Sequence, residues 1–112
     1  EMKKPFDEKK FLKFVNEDFP KELIRAKGYV WFKDKPSDVY LFEQAGRNSS
    51  VMMVAYWVAA LDEKTQKECL EGDDELRQTW DPEYGDRINQ VVFIGKNYDK
   101  AKIIQKLEMC LA

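Results

Sequence analysis

From Asp7 onward, Phe11, Leu12, Phe14, Val15 and Phe19 fall on one broad apolar stripe at helical spacing, with Lys9, Lys10, Lys13 and Asn16 outside it. The pattern predicts a helix capped by Asp7, with Phe6 and Phe11 paired across the cap as a hydrophobic staple. Pro20 ends it at or before Phe19. The period then shortens. After an extended piece around Leu23 and Ile24, "GYVWF" (28–32), "VYLFEQAG" (39–46) and "VMMVAYWV" (51–58) read as strands, separated by the turn clusters "KDKPSD" and "RNSS". Tyr29 and Trp31 alternate with Val30 and Phe32, the pattern of a strand buried on both sides. Residues 61–80 form a polar, partly helical excursion, with Gly72 stopping one turn and Pro82 barring continuation beyond Trp80. "NQVVFIG" (89–95) is a further strand. Asp99 or Asn97 then caps a last helix, whose Ile103, Ile104, Leu107, Cys110 and Leu111 run toward the end of the chain. Helix, three strands, excursion, strand, helix predicts an α+β domain: a mostly antiparallel sheet of four to five strands, with helices packed on one face.

Composition narrows the class. The chain has 112 residues, 44% hydrophobic and 36% charged, so it is expected to form one globular domain with its own core. The longest apolar run, Val51 to Leu61, is 11 residues, well short of the about 20 that cross a bilayer. The opening "EMKKPF" lacks the apolar core of a signal peptide, so a cytoplasmic location and no membrane partner are expected. Cys69 and Cys110, the two cysteines, are expected to stay reduced. Net charge is −2, but residues 61–87 carry 10 acidic and 4 basic side chains. That bias reads as a solvated acidic segment, and the acidic balance argues against nucleic acid as a partner.

The sequence contains fragments of several binding motifs, and spacing tests each. "KGYVWF" imitates the start of an RNA-recognition strand, but Val30 stands where Gly or Ala lets the base approach, and Asp34 replaces the last aromatic. A stand-alone RNA-binding module is therefore the alternative reading. "QVVFIGKN" has the strand, Gly-Lys and helix of a phosphate loop, yet Gln90 occupies the first glycine position and Asn97 the Ser/Thr position. Without those glycines the backbone amides cannot wrap a phosphate. Histidine is absent, as is any Cys-x-x-Cys, leaving at most an adventitious cation at Asp73, Asp74 and Glu75. No catalytic or metal-ligating residues are assigned.

"KPF" before the first helix, "LIRAKGYVWF", a strand ending in "QAG" with a tryptophan beyond, "DRINQVVFIG" and the final "KIIQKLEMCLA" occur in an order and at separations that resemble the C-terminal domain of the CobW family. The resemblance spans nearly the whole chain. It implies that residues 1–112 are the C-terminal domain of a longer protein whose N-terminal P-loop GTPase domain holds GTP and a divalent metal. Such a protein would act in cobalt/cobalamin or zinc homeostasis. The domain itself is then a non-catalytic accessory unit without a cofactor of its own, and its partners are the GTPase domain of the same chain and possibly a client metalloprotein. Matching residues are Arg25, Lys27, Gly28 and Trp31 in one block and Asp86, Arg87, Phe93, Ile94 and Gly95 in the other. Of these, Arg25, Lys27, Gly28, Trp31, Asp86 and Arg87 are the candidate interdomain or client-interface residues. Structural roles stay open beside that one: turns at Gly28 and Gly95, core at Phe93 and Ile94, a local pair at Asp86 and Arg87. Arg25 and Lys27 are alternate residues of one extended chain and project to the same side. The chain departs from the family pattern at Lys4, usually Arg, and at Asp7, usually His.

Overall fold

The computed structural model describes residues 2–21, 23–46, 48–96 and 98–112. Asp7 accepts a hydrogen bond from the Lys10 amide and caps α1 (Glu8–Lys13), which continues as a π-helical turn over Phe14–Asp18. The staple forms as the spacing predicts: the Phe6 and Phe11 rings stack with centroids 5.0 Å apart. Phe19, ahead of Pro20, is already extended.

Four strands follow, β1 (Leu23–Phe32), β2 (Lys35–Ala45), β3 (Asn48–Tyr56) and β4 (Gln90–Gly95). They form one antiparallel sheet in the order β3-β2-β1-β4. Three boundaries differ from the sequence reading. The piece at Leu23 and Ile24 is continuous with "GYVWF", because β4 pairs along it from Leu23 to Tyr29. The first turn shrinks to Lys33 and Asp34, since Lys35 already pairs with Phe32. β3 starts at Asn48, opposite Ala45. Gly46, at φ +59, makes that turn in the left-handed region where glycine has no Cβ penalty. Arg47, part of the predicted turn, lies outside the described residues.

After β3 the chain makes a 3-10 turn (Val58–Ala60), then α2 (Glu63–Gly72) and α3 (Asp74–Thr79), capped by Asp62 and Asp73. The two helices pack against each other, and α2 packs against the 3-10 turn. Asp99 caps α4 (Lys100–Glu108); the alternative cap, Asn97, lies outside the described residues. α4 ends four residues before the last one because the tail turns back on the N-terminal segment. Asp7 N–H donates to the Cys110 carbonyl at 2.7 Å, and Ala112 N–H donates to the Pro5 carbonyl at 3.0 Å.

The main core lies between one sheet face and the pair α1 and α4. Phe11, Phe14, Val15, Ile103, Leu107 and Cys110 from the helices meet Ala26, Val30, Phe32 and Phe42 from the sheet. The Phe11 ring sits 5.9 Å from Phe32 and 5.4 Å, edge-on, from Phe42, the tilted geometry that aromatic quadrupoles favour. Cys69 and Cys110 are both free thiols. Among the described residues no helix is long and apolar enough to cross a membrane.

Candidate interaction face

Alternation along the strands decides which side chains point away from the helices. On β1 these are Arg25, Lys27, Tyr29 and Trp31. Their cross-strand partners extend the same face: Ala45, Glu43 and Leu41 on β2, and Ile94, Val92 and Gln90 on β4. Asn48, Ser50 and Met52 continue it on β3. The face has two unlike halves.

One half is covered. Trp31, Val39 and Trp57 form a second buried cluster, closed by Ala60, Tyr84 and Ile88 from the segment after β3. Polar contacts fix that segment in place. The Trp31 indole N–H donates to the Lys3 carbonyl at 2.9 Å, and the Trp57 indole N–H to the Asp38 carbonyl at 2.9 Å. Asp86 accepts from the Val58 and Ala59 amides at 2.8 and 2.9 Å, so its carboxylate caps the 3-10 turn. The Arg87 guanidinium donates from Nε to the Pro36 carbonyl at 2.6 Å and lies 5.7 Å from the Trp31 ring. Asn89, buried, accepts from the Trp31 amide and donates to the Lys4 carbonyl. Asp81 closes the adjoining turn by accepting from the Tyr84 and Glu83 amides and from Lys3. The Tyr84 bond, then the Glu83 bond, hold its carboxyl below the usual range. Burial raises the Tyr84 hydroxyl above its ordinary value, helped by the charges of Glu83 and Asp81.

Among the described residues, nothing covers the other half. Arg25, Lys27, Glu43, Val92 and Ile94 line a shallow groove of about 480 Å³, with Asn48 and the serines of β3 at its far side. Lys27 and Glu43, cross-strand partners, form an exposed ion pair at 3.9 Å; such a pair contributes little to stability. Among the described residues no carboxylate pairs with Arg25. Val92 is 67% exposed, Ile94 57%, Met52 55% and Tyr29 48%, an apolar rim around two cations.

The six candidates therefore separate. Arg25 and Lys27 stand together on the bare half, as alternation predicts. Trp31, Asp86 and Arg87 lie at the covered half, where Arg87 stands over the Trp31 ring and Asp86 caps the 3-10 turn. Gly28 faces the helices between them: a Cβ there would sit 2.0 Å from the Gln90 carbonyl oxygen, so glycine is what lets β1 and β4 approach. Phe93 packs on the main core while its neighbour Ile94 is exposed. The expectation of a strand buried on both sides holds for Val30 to Phe32 and fails at Tyr29, because the covering segment reaches only one end of the face. That same burial counts against the RNA reading, since Trp31 and Phe32 are core and cannot stack on bases. Asp73 and Asp74 do not converge on a cation either, for Asp73 caps α3 and Asp74 pairs with Arg77. Among the described residues no group of three His, Cys, Asp or Glu side chains could hold a metal ion. The residues that sequence reasoning missed are Val92, Tyr29 and Met52, apolar side chains in strands that period alone assigns to a core.

Comparison with known proteins places this arrangement. Zinc-regulated GTPase metalloprotein activator 1 of Dictyostelium discoideum is 29% identical over 90 residues, covering 80% of this chain and 19% of that protein. The Zn(II)-bound YjiA GTPase of E. coli superposes with a TM-score of 0.62 at 17% identity, over 99% of this chain and 28% of that one. A Zn(II)-bound triple mutant of the YjiA GTPase superposes with a TM-score of 0.63 over the same shares. At such identities the superpositions speak for a shared fold. The family described as the cobalamin synthesis protein CobW C-terminal domain matches residues 1–111, and this chain belongs to it.

Proposed function

We propose that residues 1–112 are a non-catalytic regulatory domain of a CobW-like P-loop GTPase that supplies cobalt or zinc to client metalloproteins. GTP and the divalent metal are held by the N-terminal GTPase domain of the same protein, in the cytoplasm. The bare half of the open sheet face is the surface through which this domain meets the GTPase domain or a client. The observation that carries the reading is the pairing of Arg25 and Lys27 inside an exposed apolar rim, on a sheet face whose other half is sealed. Cations within an apolar border suit a partner that presents a carboxylate among apolar contacts, with charge setting register and apolar area supplying affinity. Trp31, Asp86 and Arg87 act on this surface indirectly, by anchoring the segment that forms its border, and Gly28 by letting β1 and β4 approach beneath it.

The test uses the full-length protein with Arg25 and Lys27 both changed to Ala. Coupling between two sites is worth about 1–3 kcal/mol, about 5-fold to 150-fold in the coupled quantity. The expected result is a change of at least about 5-fold in GTP turnover or in metal transfer to a client. Both rates unchanged would remove these residues from any interdomain role. GTP hydrolysis by residues 1–112 alone would overturn the non-catalytic reading.

A further inference from the structure

The sheet ends at β3, and the hydrogen bonds of its inner neighbours decide which backbone groups β3 leaves over. Gly46 N–H donates to the Ile24 carbonyl at 3.2 Å, so Gly46 bonds toward β1. Along an antiparallel strand that direction alternates. Ala45, Glu43 and Leu41 therefore bond toward β3, where their partners are Asn48, Ser50 and Met52. The amides and carbonyls of Ser49, Val51 and Met53 are left pointing to the outer edge, and among the described residues no strand or bridge pairs with them. The regular edge stops there. The register to β2 shifts between Val39 and Tyr40, which makes Val54 an extra, bulged residue.

Side chains decide what this edge can accept. The described residues from Asn48 to Met53 carry no charge and no proline, two of the devices by which sheet edges repel one another. Val51 is half-buried and packs on the main core, while Met52 and Met53 are exposed. A strand laid beside them must be uncharged, because a charge brought against Val51 and Met53 would lose its water and find no opposite charge. Residues 49–53 of a second copy meet that need. One antiparallel register pairs every outward group of the stretch: Val51 opposite Val51 on a two-fold axis, with Ser49 opposite the second copy's Met53 on either side. The two valines then join across the seam, and on the open face Ser50 lies opposite the second copy's Met52.

We propose that the full-length protein forms a two-fold dimer through β3, its outer edge hydrogen-bonded antiparallel to β3 of a second copy in the Val51–Val51 register, so that two four-stranded sheets become one. The contact is isologous and closes at two copies, without propagating into a fibre. The axis stands perpendicular to the sheet, so both open faces look the same way and present two Arg25–Lys27 patches on one side. That last consequence rests on the function proposed above; the dimer does not.

Sedimentation of the full-length protein tests this. The expected result is a monomer–dimer equilibrium that Met53→Lys and Ser49→Pro each weaken by about 10-fold or more. Met53 is exposed, so the lysine leaves the fold intact. The proline removes an outward donor and none of the bonds to β2. A protein that stays monomeric up to about 100 μM, or a dimer that both variants leave unchanged, overturns the proposal. Amide exchange reads the edge directly: Val51 and Met53 should slow as protein concentration rises, while Ser50 and Met52, bonded to β2, should not. Protection of Val51 and Met53 that appears only with an added client protein gives the edge to another chain and overturns the dimer. Register has its own readout. When Ser50→Cys and Met52→Cys proteins are mixed and oxidised, the non-hydrogen-bonded cross-strand pair should form the disulfide between them, mapped by mass spectrometry. Preferential linkage of Met52→Cys to itself overturns the register. These readouts are independent of GTP turnover in the Arg25 and Lys27 variant, so either reading can fail alone.

Discussion

Two residues show how single atoms decide local stability. Asp86 satisfies two backbone donors of the 3-10 turn, and Asp86→Ala leaves both half-buried N–H groups without that acceptor. The expected cost is about 1–3 kcal/mol, read as a lower urea midpoint with an unchanged slope. Gly28→Ala drives a methyl group into the Gln90 carbonyl and the Val91 backbone, 2.0 and 2.5 Å away. Neither is a side chain that can swing aside, so the loss should reach the top of the ~1–3 kcal/mol range for overpacking, with exchange of β4 amides rising first. Asp81 gives a pH dependence. Its folded pKa is depressed, chiefly by the Tyr84 and Glu83 amides, so the stability it contributes is fully present above the unfolded value, about 4, and is lost as pH falls through the folded one. Thermal midpoints measured from pH 5 downward should fall in this window, and Asp81→Ala should flatten the decline. The charge pattern along residues 61–87 was legible in the sequence. That Asp86 accepts from the amides of the 3-10 turn was not, because Val58 lies 28 positions away from it.

At the scale of elements, local signals were read well wherever capping or periodicity was self-contained. Asp7 stands where the sequence puts it and Asp99 is one of the two caps the sequence offered for the last helix; each accepts from the amide three residues on. Asp99→Ala removes that acceptor and should lower stability by about 1 kcal/mol, visible as earlier fraying of α4 in amide exchange. Strand edges were read less well. Lys35 and Pro36 carry turn chemistry but lie in β2, because pairing with Phe32 continues the ladder through them. The excursion was legible as polar and partly helical. Its anchoring through Trp31, Trp57 and Arg87 to the far end of the sheet depends on contacts that no local window contains.

For the whole molecule, the outer strand β3 presents nine residues without a charge or a proline, and Met52, Met53, Val54 and Tyr56 are all exposed. Edges of this kind pair with other chains unless a charge or proline interrupts them. Residues 1–112 should therefore self-associate at high concentration, and Val54→Lys should suppress light scattering while leaving the thermal midpoint nearly unchanged. The opposite edge, β4, differs because Met2 already starts a pairing there.

By itself the sequence determined the α+β class, the order of elements, the helix caps, the core stripes of α1 and α4, and the family, because each rests on short-range period or on motif order. Only the tertiary structure decided that the open sheet face is half sealed and half bare. Alternation places Arg25, Lys27, Tyr29 and Trp31 on one side of β1, but it says nothing about what lies over them. That depends on where the segment from Trp57 to Asn89 comes to rest, and long-range hydrogen bonds and indole packing fix its position.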